Sequence, residues 1–101
     1  MSAEPSKETV LEQLKQVEDP ELHYNIVDLG LIYDVKIDEG MVVIEMTFTS
    51  PMCPVGPYIV AKVEEVVKKL SGVTGVTVNI VWEPLWSPER MSEEAKVELG
   101  V

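Results

Sequence analysis

The sequence predicts an α/β domain of the α+β kind, two layers thick, with elements in the order α-β-β-α-β and a short C-terminal helix. A small mixed sheet should be covered on one face by the helices. Three observations carry this. Leu31, Tyr33, Val35 and Ile37 alternate along one stretch, and Val42, Ile44, Met46 and Phe48 alternate along the next, with Asp38-Glu39-Gly40 between them. Two period-two runs about a glycine turn make a β-hairpin with one buried face. Ile59, Val63, Val66, Val67 and Leu70 then recur at helical spacing. Val76, Val78, Ile80 and Trp82 alternate in a third strand, which a right-handed crossover through the helix can lay parallel to a neighbour. The order of strands in the sheet does not follow from this pattern.

Taken in order, residues 1–6 read as a flexible arm. A first helix runs from about Lys7 to Val17, with Ser6 as N-cap and Val10, Leu11, Leu14 and Val17 as its apolar stripe. Asp19-Pro20 stops it, because a residue before proline avoids the helical region. The segment Glu21 to Gly30 has no clean period, but Leu22, Ile26, Val27 and Leu29 are too apolar for a solvated loop, so it should pack on the core. Asp19, Glu21 and Asp28 are then acids on a chain that cannot swing freely. For each, a turn acid capping backbone N–H groups is the plain alternative to a site role.

The second helix begins at about Pro57, or at Pro54, and ends at Leu70 before Ser71-Gly72. Glu64/Lys68 and Glu65/Lys69 are spaced to pair on its wet side. A last helix covers Ser92 to about Leu99, with Glu93 and Glu94 in its first turn and Gly100 at its end. Residues 83–101 form a C-terminal segment that Trp86 should pin to the domain; a partner-binding role for Trp86 is the alternative. The whole chain, residues 1–101, reads as one domain.

Composition narrows the function. A net charge of −10 disfavours nucleic acid and anionic membrane surfaces, and suits a cation or a basic protein partner. No apolar run approaches a membrane span. The polar N-terminus does not resemble a signal peptide, and a single cysteine excludes an internal disulfide framework, so a cytoplasmic location is expected.

That cysteine, Cys53, lies in Thr47-Phe48-Thr49-Ser50-Pro51-Met52-Cys53-Pro54-Val55-Gly56-Pro57-Tyr58, between the clearest strand and the clearest helix. A thiol at or just before a helix N-terminus ionises more easily than a free one, and the thiolate is both nucleophile and metal ligand. Thr47, Thr49 and Ser50 supply hydroxyls that can hydrogen-bond to it. A space-filling structural cysteine is the alternative. A cysteine-dependent hydrolase would need a base; His23 is the only histidine, and nothing in the sequence brings it to Cys53. A closed zinc site needs four ligands, which this inventory cannot supply within one chain. It favours transient or shared metal–sulfur binding, with further ligands from a second chain, a small thiol or nearby carboxylates.

Four motifs in order resemble the SufT/PaaD-like family of metal–sulfur cluster assembly proteins. They are Asp19-Pro20-Glu21; Val27-Asp28-Leu29-Gly30-Leu31-Ile32-Tyr33; Thr47 to Pro54; and Trp82-Glu83-Pro84-Leu85-Trp86 followed by Met91-Ser92 and Leu99-Gly100. The resemblance covers nearly the whole chain. It implies a small α/β domain and a non-enzymatic accessory role in iron–sulfur cluster assembly or delivery. The implied cofactor-binding residues are Cys53, Thr49, Ser50, Asp19 and Glu21, with Cys53 as the metal ligand. The implied cargo is a transient iron–sulfur cluster or iron, with none tightly bound. The partners are the assembly machinery and client apoproteins, and a homodimer is compatible with one thiol per chain. The cysteine-rich tail of the family's phenylacetate relatives is missing, which points away from their oxygenase role. The competing class is a non-catalytic adaptor that docks clients while Cys53 is structural.

Overall fold

The computed structural model describes residues 5–49 and 55–100. Helix α1 (Lys7–Leu14) is followed by two short strands, β1 (Glu18–Asp19) and β2 (Tyr24–Asn25). The hairpin is β3 (Ile32–Asp38) and β4 (Met41–Met46); then come α2 (Gly56–Lys68), β5 (Gly75–Ile80), a 3₁₀ turn (Pro88–Arg90) and α3 (Glu93–Leu99). The main sheet has the order β3-β4-β5. β3 and β4 are antiparallel, and β5 lies parallel to β4 with Met46 opposite Ile80. The central strand is therefore the second arm of the hairpin.

The hairpin turns where the sequence places it. Glu39 and Gly40 both have positive φ (50° and 87°), as a two-residue turn that matches strand twist requires. Only glycine fits the second position, since a Cβ there would lie 2.5 Å from the Gly72 carbonyl oxygen. Along β3 and β4 the alternation puts Val35, Val42, Ile44 and Met46 in the core. The other face is polar, with Lys36 Nζ 3.6 Å from Glu45 Oε2.

One face is covered by α1 and α2. Val10 and Leu14 of α1 and Ile59, Val63, Val66 and Val67 of α2 are buried in the same core as the sheet residues. Burying each such side chain is worth about 1.5–3 kcal/mol, so this layer accounts for most of the fold's stability. Ser6 caps α1 by accepting the Thr9 N–H, and Ser92 caps α3 by accepting the Ala95 N–H. Gly100 closes α3 in the left-handed conformation.

Several boundaries differ from the sequence expectation. The α-helical part of α1 ends at Leu14, because residues 15–17 tighten into i→i−3 bonds such as Val17 N–H to Leu14 C=O. Val17 is nevertheless buried, as its spacing implied. Helix α2 begins at Gly56, leaving Pro57 in the first turn where its missing N–H costs nothing. Neither i,i+4 pair expected on α2 forms; Glu65 pairs with Lys62 instead, at 3.4 Å. Exposed pairs are worth so little that side-chain entropy decides among them. β5 stops at Ile80, short of Trp82, after one further rung from the Val81 N–H to the Met46 C=O.

The C-terminal segment folds back onto the β2–β3 connection. Trp86 Nε1–H donates to the Leu29 C=O at 2.7 Å, and Tyr33 Oη–H donates to the Pro84 C=O at 2.7 Å. The Arg90 guanidinium lies 4.5 Å from the centre of the Tyr33 ring. Ser92 N–H donates to the Asp28 C=O. Gly30, with φ 79°, makes this closure fit: a Cβ there would stand 2.3 Å from the Arg90 carbonyl oxygen.

Candidate functional site

The carboxyl ends of β4 and β5 and the start of α2 meet at one end of the sheet. In open sheets with parallel strands, ligands gather beyond the carboxyl ends. Phe48, just past β4, and Trp82, just past β5, pack with ring centroids 6.0 Å apart and planes tilted by 56°. Gly56 lies against the Phe48 ring, where a Cβ would be 3.1 Å away. The N-cap of α2, Val55, has no side-chain cap bond. Thr47 is fully buried, and its Oγ1 has no hydrogen-bond partner among the described residues. Its backbone is satisfied, with the N–H donating to the Leu31 C=O at 2.9 Å. An orphaned buried hydroxyl costs about 1–3 kcal/mol, so it calls for an explanation.

The residues singled out in the sequence do not all fall here. Cys53 and Ser50 lie outside the described residues, and so does any grouping that depends on them. Thr49 is half-buried. Asp19 is only 1% exposed, and its Oδ1 accepts the backbone N–H groups of Glu21 at 2.8 Å and Leu22 at 3.4 Å. That is a turn acid's work: it ties the β1–β2 connection together. Glu21 is exposed. Among the described residues, no hydrogen bond or ion pair joins Asp19 or Glu21 to Thr47 or Thr49.

Asp28 also has a local role. Its Oδ2 accepts from Asn25 Nδ2 while its N–H donates to Asn25 Oδ1, both at 2.8 Å. His23 is exposed with φ 56°, and its N–H donates to the Asp19 C=O at 2.7 Å, so it serves the turn by its backbone. Among the described residues, no group of three or more His, Cys, Asp or Glu side chains could hold a metal. No described helix is long and apolar enough to cross a membrane.

Sequence reasoning missed the meeting of Phe48 with Trp82. Each residue ends an alternating run, and once Met46 is opposite Ile80, Phe48 and Trp82 follow as neighbours. The signal was present in both strands, but it needs the β4–β5 register to be read.

A model of the iron–sulfur cluster assembly protein family matches residues 7–80, from the start of α1 to the end of β5. This chain belongs to that family, as a SufT-like member. The Fe-S protein maturation auxiliary factor YitW of Bacillus subtilis is 46% identical over 99 residues, covering 97% of each chain. The Fe-S protein maturation auxiliary factor SufT of Staphylococcus aureus is 46% identical over 84 residues, 82% of this chain and 96% of that one. A solved structure of a conserved hypothetical protein from Thermotoga maritima matches with a TM-score of 0.87 at 46% identity, covering 100% of both chains. The SufT-like fold is thus the expected mixed α/β domain. The matched span ends where the clasp of Trp86 and Arg90 begins.

Proposed function

We propose that this protein is an accessory factor in iron–sulfur cluster assembly or in delivery of clusters to client proteins, with Cys53 as a transient thiolate ligand. The observation that carries the reading is the orphaned Thr47 hydroxyl, fully buried at the carboxyl end of β4 and shortly before Cys53 in the chain. A buried hydroxyl without a partner among the described residues calls for an explanation, and use by a bound ion or cargo is the one this reading offers. The start of α2, which has no side-chain cap at Val55, brings the positive end of the helix dipole to the same end of the sheet, and that favours a thiolate over a thiol. The near full-length relatives named as auxiliary maturation factors support a non-catalytic role beside assembly machinery and client apoproteins.

With one thiolate per chain, a cluster held by protein cysteines alone requires a second subunit; otherwise a small thiol or client cysteines complete its coordination. The cluster or iron is then cargo, held weakly enough to leave. Thr49 and Ser50 contribute hydroxyls to the cargo site. Asp19 and Glu21 set the charge along its wall, Asp19 through the turn it holds. The site belongs to a single domain of residues 1–101 acting in the cytoplasm.

The test is complementation of a strain lacking the protein, with a cluster-dependent enzyme as the readout. Cys53→Ser replaces a soft thiolate with a hydroxyl that stays protonated near neutral pH. It should fold with unchanged thermal stability and lose client activation. Full activity from the serine variant would sink the ligand role and leave the adaptor. The labelling rate of Cys53 with iodoacetamide against pH gives the thiol pKa, which should lie below the free value of about 8.5.

A second reading, client docking, is favoured by the exposed aromatic pair at the same end. It moves from Trp86, whose N–H is committed to Leu29, to Trp82.

A further inference from the structure

The Phe48–Trp82 pair forms one wall of an open groove of about 420 Å³, whose opposite wall is the first two turns of α2. Phe48, Ile80 and Trp82 face Val60 and Ala61 across it, with Pro57 at one end. Trp82 is 38% exposed, although tryptophan is usually far more buried in a domain of this size. An apolar concavity of this size, walled by an exposed indole, is the form of an anchor site for one large side chain.

The groove contains one charged group, Glu64. Its neighbour Glu65 is paired with Lys62, but Glu64 makes no ion pair or hydrogen bond among the described residues. It is half-buried at the edge of an apolar surface. A carboxylate there penalises an acidic ligand and rewards a cation that arrives beside an apolar anchor. The net charge of −10 adds a long-range bias in the same direction.

We infer that the groove between Trp82 and α2 docks a segment of a partner protein that carries a large apolar side chain next to a lysine or arginine, the apolar group seated against Trp82 and the cation paired with Glu64. This names a partner chemistry for the docking role and does not depend on the thiol.

The experiment is selection from a random peptide library displayed on phage, followed by binding measurements on the enriched peptides made synthetically. Enriched sequences should share an apolar anchor adjacent to Lys or Arg. Trp82→Ala should weaken their binding about tenfold or more, as loss of a central tryptophan does. Ala61→Gln, at an exposed helical position, should fill the groove without disturbing the core and weaken binding comparably. Glu64→Gln should cost about two- to fivefold, the range of a solvent-accessible ion pair. Glu64→Lys should turn the preferred flank from basic to acidic.

Cys53→Ser should bind the peptides as the native chain does, so failure of this inference and failure of the ligand role are read separately. The inference is overturned by peptides enriched without a basic flank, by binding indifferent to both Trp82→Ala and Ala61→Gln, or by no enrichment. A dimer in sedimentation experiments that Trp82→Ala dissociates would overturn it in favour of a second copy of the chain.

Discussion

Trp82 and Trp86 sit a few residues apart in one proline-flanked stretch, yet the fold uses them in opposite ways. Trp86 packs against the core, and its N–H is bonded to the Leu29 carbonyl. It closes the β3 side of the domain, where Gly30, Tyr33 and Arg90 come close together. Trp82 stands on Phe48 at the same end of the sheet but past the opposite edge strand, β5, and is over a third exposed. Just past β4, the strand between those edges, come the Thr47 hydroxyl, unpartnered among the described residues, and then a helix start without a side-chain cap. On the closed side the Tyr33 hydroxyl and the Trp86 N–H are paired; toward the open side one buried hydroxyl, that of Thr47, is left over among the described residues. Residues that stabilise and residues kept for function are thereby separated in space, and each half of that contrast can be broken by its own substitution.

The largest expected effect is on Trp86. Trp86→Ala removes a packed indole and strands the Leu29 carbonyl, so it should cost on the order of 3 kcal/mol, read as a lowered midpoint in denaturant titration. Trp82→Ala should cost clearly less in the same titration, because over a third of the indole is exposed and it borders an open groove instead of closing the core. Equal losses at the two positions would erase the distinction between a closed and an open side.

That distinction was only half legible in the sequence. The hairpin, the α2 stripe and the pinning by Trp86 followed from periodicity and composition, since buried faces impose their period directly on the chain. The β1–β2 pair was not legible: its strands are two residues each, too short to show a period. The Glu64/Lys68 and Glu65/Lys69 pairs were legible but absent, because nothing in an exposed ion pair enforces it. Asp19 looked equally like a site acid and a turn acid. Its backbone partners, Glu21 and Leu22, are local, but only the fold shows that it is buried with them. Phe48 and Trp82 meet through a register between strands far apart in sequence, and pattern alone does not fix such a register.

A middle-sized effect sharpens the open side. Thr47→Val keeps the volume and removes the orphaned hydroxyl, so the variant should be more stable by about 1 kcal/mol. If that hydroxyl serves the thiolate or its cargo, the stabilised variant should also support less client activation and show a raised Cys53 pKa. A variant destabilised by the same amount would mean that the hydroxyl has a partner in the folded chain, and the strongest support for the proposed site would be gone.

The smallest effect belongs to the closed side and appears at alkaline pH. Partial burial of Tyr24, and then the nearby charges of Glu94, Asp28 and Glu98, raise its phenol above the usual value of 10.0; a hydrogen bond to Glu94 acts in the same direction. The folded state thus favours the neutral phenol. A raised folded pKa contributes stability that is fully present below pH 10.0 and is lost as pH rises through the folded value. The grip of α3 on β2 should therefore loosen on the alkaline side. Phenolate absorbance, taken as the difference between the native chain and Tyr24→Phe, isolates this group from Tyr33 and Tyr58. Glu94→Gln removes a charge but keeps a hydrogen-bonding side chain, so it should move the Tyr24 midpoint back toward 10.0 and flatten the alkaline loss of stability. An unmoved midpoint would show that Glu94 does not hold Tyr24 electrostatically and that burial with the remaining charges sets the shift.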